Sequence, residues 1–186
     1  MRFQSVLEKF SLRKKVALVT GGAGPQYGRW ITAALAEAGA QTYIAGRTLE
    51  TLEEVAAEHR AAGRAVLPVQ FDQADETSIL NLRNHILKQS GHIDILVNNA
   101  VLHTMRNGHQ GKAELFDESL HVNATGLFVI SRAFGDAMSE DRGGSIINVS
   151  SIYGLVGPDP THYQGTSMSG WQPDYYFNKA GIINLA

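Results

Sequence analysis

The amino-acid sequence predicts an α/β protein in which one doubly wound parallel sheet carries helices on both faces, as a single domain over residues 1–186. Three features predict it. Short apolar runs alternate with segments of helical period along the whole chain. The apolar runs are nearly continuous rather than alternating, as strands buried on both faces must be. The helical segments stop at Gly39, Gly63 and Gly91, a residue suited to the left-handed turn that closes a helix.

The elements follow in order. Residues 15–20 form a strand that runs into the turn Thr20-Gly21-Gly22-Ala23-Gly24-Pro25-Gln26-Tyr27-Gly28. A helix over 29–38, a strand over 41–45 and a helix over 49–62 come next. The third strand spans 65–71, although Pro68 removes one backbone donor from it. A helix over 77–89, a strand over 93–98, a long helix over 118–139 and a strand over 145–150 continue the alternation. The apolar face of the long helix, including Leu120, Leu127 and Phe134, belongs either to the core or to a partner helix. The last helix opens at Pro173 or Asp174 and is still running at Ala186 without cap or stop, so the chain is expected to end inside a larger domain. Residues 102–113 and 154–172 lack any period. Both follow strands, whose carboxyl ends are where such sheets bind ligands, so both are expected at the ligand mouth.

Composition narrows the function. The chain is 44% hydrophobic and 18% charged, which supports a self-sufficient core and excludes a disordered, fibrous or coiled-coil chain. A net charge of −2 gives no electrostatic support to nucleic acid or an anionic membrane as partner. No apolar run approaches the roughly 18 residues of a membrane span, and the first fifteen residues have no signal-peptide core. The absence of cysteine excludes a thiol nucleophile, and the seven histidines show no metal-ligand spacing. A cytoplasmic, metal-free protein with a small-molecule substrate is expected.

The glycine turn points to a dinucleotide. Glycines let the backbone approach a pyrophosphate closely, and the following helix N-terminus supplies N–H donors. Gly21, Gly24, Gln26, Tyr27 and Gly28 are the candidates there. Glycine also serves any tight turn, so the motif gains weight from its place between the first strand and first helix. The second strand ends at Gly46-Arg47, without the acid that would read a ribose 2′-hydroxyl. Arg47 suits a 2′-phosphate, favouring NADP with NAD possible, unless it is simply a solvated arginine opening a helix.

Taken in order, these residues resemble the short-chain dehydrogenase/reductase family, whose fold is of Rossmann type. Thr20-Gly21-Gly22 opens the turn. Asp72, with Gln73 beside it, follows strand three, where the family contacts adenine. Asn98-Asn99-Ala100 ends strand four. Asn123 lies in the long helix, Ser151 follows strand five, and Tyr175 and Lys179 form a Tyr-x-x-x-Lys pair. The resemblance implies that Asn98, Ala100, Asp72, Gln73, Tyr175 and Lys179 join the cofactor site. It further implies that Ser151 holds the substrate oxygen, that Asn123 holds a water leading from Lys179, and that the longer protein forms a homo-oligomer. Read without the resemblance, Ser151 and Asp72 also suit turn or cap residues, and Tyr175 with Lys179 an amphipathic surface.

The chemistry fits the pair. Residues i and i+4 share a helix face. A phenol ionises near pH 10, and a neighbouring ammonium favours the phenolate. Tyr175 is therefore expected to exchange a proton with a carbonyl or alcohol oxygen while the nicotinamide carries the hydride.

Departures from the pattern matter as well. Gly28 falls one residue late and Gln26 occupies the middle-glycine position. Val101 replaces a glycine. Tyr175 lies 24 residues after Ser151, roughly twice the usual separation. The additional segment holds Tyr163-Gln164-Gly165-Thr166-Ser167-Met168 and resembles a bacterial subgroup near flagellin-glycan and nonulosonate sugar biosynthesis. A sugar or sugar-nucleotide substrate is the narrower expectation, with Tyr163 and Trp171 either stacking on it or pinning the loop. The rival reading is a non-catalytic dinucleotide-binding protein, or an inactive fragment of an enzyme.

Overall fold

The computed structural model describes residues 5–167 and 171–185; Met168 and Ala186 lie outside them. Five parallel strands form one sheet: β1 (Val16–Thr20), β2 (Gln41–Gly46), β3 (Val66–Gln70), β4 (Ile95–Asn98) and β5 (Ser145–Asn148). Their order is β3-β2-β1-β4-β5, so the chain winds outward from β1 in both directions. The helices are α1 (Val6–Lys9), α2 (Gly28–Glu37), α3 (Leu49–Ala61), α4 (Glu76–Ser90), α5 (Ala113–Leu120), α6 (Leu127–Glu140) and α7 (Pro173–Leu185). None of the described helices is long and apolar enough to cross a membrane.

Local patterning explains most of this. Every residue of β1 is buried, as a central strand covered on both faces requires. Leu18, Tyr43 and Leu96 meet Ile79, Ile86 and Phe134 in the larger core, while Ile44 meets Leu52 and Val55 on the other face. Pro68 is tolerated because β3 pairs with β2 alone, and an edge strand can lack one outward donor. Leu127 and Phe134 belong to the core, while Leu120 is half-buried.

Three expectations need correction. The strand at the other edge, β5, pairs only with β4 and stops at Asn148, and its Ile146 and Ile147 are 37% and 47% exposed rather than doubly buried. The short α1, opened by a Ser5–Glu8 capping box, was not expected. The long helix starts earlier, at Ala113, and is interrupted by a π-helical segment, His121–Gly126. The cause is non-local. Asn123 faces Leu102, and Gly126 presses so closely on Gln73 that a Cβ would overlap the Gln73 carbonyl oxygen. Such widened turns occur mostly at functional sites.

At the amino end of the sheet Asp94 is only 4% exposed. It accepts hydrogen bonds from the Val16 N–H and the Lys15 ammonium, both at 2.8 Å, with Arg142 at 3.3 Å. Burial alone would push its carboxyl up. The Lys15 and Val16 hydrogen bonds and the charges of Lys15 and Arg142 outweigh burial and hold it below the usual range. A depressed carboxyl contributes stability above its unfolded pKa near 4 and loses it as pH falls through the lower folded value. Asp94→Asn is therefore expected to cost about 2 kcal/mol at pH 7 and to flatten the acid limb of stability. Urea midpoints measured from pH 7 to pH 3 check this; equal acid sensitivity in both proteins would refute it.

Candidate active site

The winding of the chain reverses between β1 and β4, and a cavity of about 760 Å³ opens beyond their carboxyl ends. One wall is the glycine turn. Gly21 sits at φ +62°, donates to the Ala45 carbonyl (2.7 Å) and accepts from Gly24 N–H (2.9 Å). A Cβ at Gly28 would overlap the Gly21 carbonyl oxygen, so the first residue of α2 must be glycine for helix and turn to close on each other. Gly21, Gly24, Gln26, Tyr27 and Gly28 all line the cavity. The late glycine is thus absorbed by an exposed bulge, Pro25–Gln26–Tyr27, rather than by blocking the approach.

Asn99 and Thr20 hold this turn, a role the sequence reading missed. The Thr20 hydroxyl accepts from the backbone N–H groups of Asn99 and Ala100, both at 3.0 Å. The Asn99 amide donates to the carbonyls of Thr20 (3.0 Å) and Gly21 (3.2 Å). Asn99 stands inside the Asn98-Asn99-Ala100 motif, and that was the available signal. Ala100 lines the cavity, whereas the buried Asn98 donates to Ser131 and Asn148 and ties β4 to its neighbours.

The opposite wall comes from α7. Tyr175 and Lys179 both line the cavity, with the Lys179 Nζ 5.6 Å from the centre of the Tyr175 ring. Lys179 is 5% exposed and donates to the Val149 carbonyl. Burial lowers its pKa from 10.5 to about 8. Asn123 lies behind the cavity. Its amide oxygen accepts from Leu102 N–H (2.8 Å), and its nitrogen donates to the Leu102 carbonyl (2.8 Å) and the Ser119 hydroxyl (3.0 Å). Both polar atoms of its side chain therefore brace the loop after β4.

Other expected residues stand elsewhere. The Ser151 hydroxyl accepts from Tyr153 N–H at 3.2 Å and caps a 3-10 turn, Ile152–Gly154. Its neighbour Ser150 lines the cavity, but its hydroxyl donates to the Lys179 carbonyl at 2.8 Å. Asp72 is exposed and accepts from Ala74 N–H in a turn (2.9 Å). Gln73 is buried and donates to the Val122 carbonyl (2.9 Å). Arg47 is exposed beyond β2 and does not line the cavity.

The two aperiodic segments meet at the mouth. His103 and Arg106 line it from the loop after β4, and Tyr153, Tyr163 and Gln172 from the stretch before α7. The Tyr163 and Tyr153 hydroxyls hydrogen-bond each other, a contact that pushes Tyr163 up to about 12. Trp171 pins the loop: its ring meets the His109 ring at 5.4 Å between centres, and a Cβ on Gly108 would come to 3.0 Å from the Trp171 Cβ.

The donor set fits a dinucleotide. Close-approach glycines, the α2 N-terminus and a buried ammonium converge on one cavity at the switch point of a doubly wound sheet, the architecture of dinucleotide-binding proteins. The chain belongs to the short chain dehydrogenase family, whose model matches residues 15–167. It is 32% identical over 174 residues to the 7alpha-hydroxysteroid dehydrogenase of Bacteroides fragilis, covering 92% of this chain and 62% of that protein. It is 34% identical over 175 residues to the cyclopentanol dehydrogenase of a Comamonas species, covering 92% and 67%. A short-chain type dehydrogenase/reductase from Mycobacterium marinum superposes with a TM-score of 0.87 at 30% identity, covering 98% of this chain and 70% of that one. NAD+-bound xylitol dehydrogenase gives 0.82 at 27%, covering 94% and 63%. The chain thus spans roughly two thirds of the length of the relatives it matches.

Proposed function

We propose that this chain carries the cofactor site and acid/base pair of an NAD(P)-dependent oxidoreductase acting on a secondary alcohol or ketone. The observation that carries this reading is that Tyr175 and Lys179 share one cavity with the glycine turn, from opposite walls. Gly21, Gly24 and Gly28 with the α2 N-terminus would hold the pyrophosphate. Lys179 would hold the nicotinamide ribose, and the bound nicotinamide would supply or take the hydride. Tyr175 moves a proton between its hydroxyl and the substrate oxygen. Lys179, whose ammonium lies near the ring, favours the charged phenolate. Ser151 would donate its hydroxyl proton to the substrate oxygen while its oxygen still accepts from the Tyr153 N–H.

The finer reading is NADP as cofactor and a sugar or sugar-nucleotide as substrate. Arg47 supports NADP: it stands free at the end of β2, with no ion pair or hydrogen bond from its guanidinium among the described residues. The tyrosine hydroxyls at the mouth support a polyhydroxylated ring. A fluorescence titration with NADPH and NADH tests the cofactor reading, and turnover of simple ketones but of no sugar nucleotide would count against the substrate reading. Saturable binding, about tenfold tighter for NADPH, is expected, and Arg47→Ala should erase the difference. Absence of binding to either cofactor, repeated on a chain of the relatives' length, would refute the reading.

A further inference from the structure

We propose that His103 is a positioning residue for Tyr175, which fixes the phenol ring by stacking on it; this rests on the reading of Tyr175 as the acid/base group. The His103 and Tyr175 ring centres lie 5.1 Å apart with their planes inclined by only 28°. His103 Nδ1 hydrogen-bonds Gln172 Oε1 at 2.8 Å, which sets the imidazole's rotation. Gln172 lies just before α7, and its carbonyl accepts from the Tyr175 N–H (3.1 Å), so one residue orients the imidazole and anchors the backbone of the tyrosine.

The loop that presents His103 is itself fixed. Asn123 grips Leu102 through both its N–H and its carbonyl, and the Thr104 hydroxyl donates to the Leu115 carbonyl at 2.6 Å. The imidazole therefore stands on a braced backbone rather than on a loose loop. Two further neighbours of the Tyr175 ring are Tyr176, edge-on at 5.9 Å, and the Lys179 ammonium. His103 thus supplies the flat wall without which the phenol is free to swing about its first side-chain torsion. A displacement of about 1 Å at a reacting group costs on the order of a hundredfold in rate.

The test uses tyrosine labelled with carbon-13 in its ring, with the Tyr175 signal assigned by its loss in Tyr175→Phe, together with steady-state rates on whichever secondary alcohol or ketone of a screened panel the wild-type protein turns over. In His103→Ala the Tyr175 signal is expected to move, and kcat to fall roughly ten- to a hundredfold with KM unchanged within about threefold. His103→Phe, which restores a flat ring, should return most of kcat. Gln172→Ala should lower kcat in the same direction by less. A Tyr175 signal unmoved in His103→Ala, or a loss confined to KM, or alanine and phenylalanine variants with equal rates, would overturn the proposal. Failure of the underlying reading looks different: Tyr175→Phe would itself keep wild-type turnover, and the positioning role would fall with it.

Discussion

Tyr175→Phe is expected to lower turnover by about a thousandfold while leaving cofactor affinity within about twofold of wild type. The substitution removes one oxygen and nothing else. The ring stays between His103, Tyr176 and the Lys179 ammonium, and those contacts depend on its face and edge rather than on its hydroxyl. The glycine turn lies on the opposite wall and is held by Thr20 and Asn99, which Tyr175 does not touch. Loss of rate without loss of binding is therefore the signature of a missing proton carrier. The measurement pairs initial rates on a panel of secondary alcohols, ketones and sugar nucleotides with an NADPH titration and a thermal melt. Retained turnover would sink the acid/base assignment, whereas saturable NADPH binding with no turnover by either protein would favour the non-catalytic dinucleotide-binding reading.

Lys179→Met should move stability and activity in opposite directions. Lys179 is 5% exposed, with no ion-pair partner among the described residues and only a backbone carbonyl to bond. Burial brings its pKa from 10.5 to about 8. Its unfolded form therefore binds more protons than its folded form between about pH 8 and 10.5, so stability rises with pH across that window. Below pH 8 the full penalty of burying the ammonium applies, about 3 kcal/mol. Methionine has similar length and no charge, so the variant should melt several degrees higher at pH 7. The advantage should shrink from pH 8 upward and vanish by about pH 10.5. Turnover should fall at least about a hundredfold, because the charge that favours the phenolate is gone. A variant that melts lower than wild type at pH 7 would show that the Val149 hydrogen bond outweighs the buried charge. Such opposition is common at functional sites, where stability is forgone for reactivity.

What the sequence revealed and what it hid follow one division. Continuous apolar runs, the 3.6-residue period and glycines at helix ends are written within a few neighbouring positions. The strand–helix alternation and the buried β1 were therefore legible. So was the shared face of Tyr175 and Lys179, since four residues along a helix return to the same side. The π-helical segment was not legible, because Asn123 and Gly126 are pulled from regular geometry by Leu102 and Gln73, which lie far away in sequence. Ser151 was legible both as a site residue and as a turn cap, and the folded chain shows the cap. The exposed face of β5 was hidden too: its apolar run is the same whether a neighbour covers it or not. His103 was one histidine in a loop without a period. Its place on Tyr175 arises only where the loop after β4 meets the segment before α7. The sequence by itself determined the elements, their order and the residue types that chemistry needs. Tertiary structure decided which of those residues share a cavity, because local period sets the face of an element, whereas contact between distant segments depends on how the elements pack.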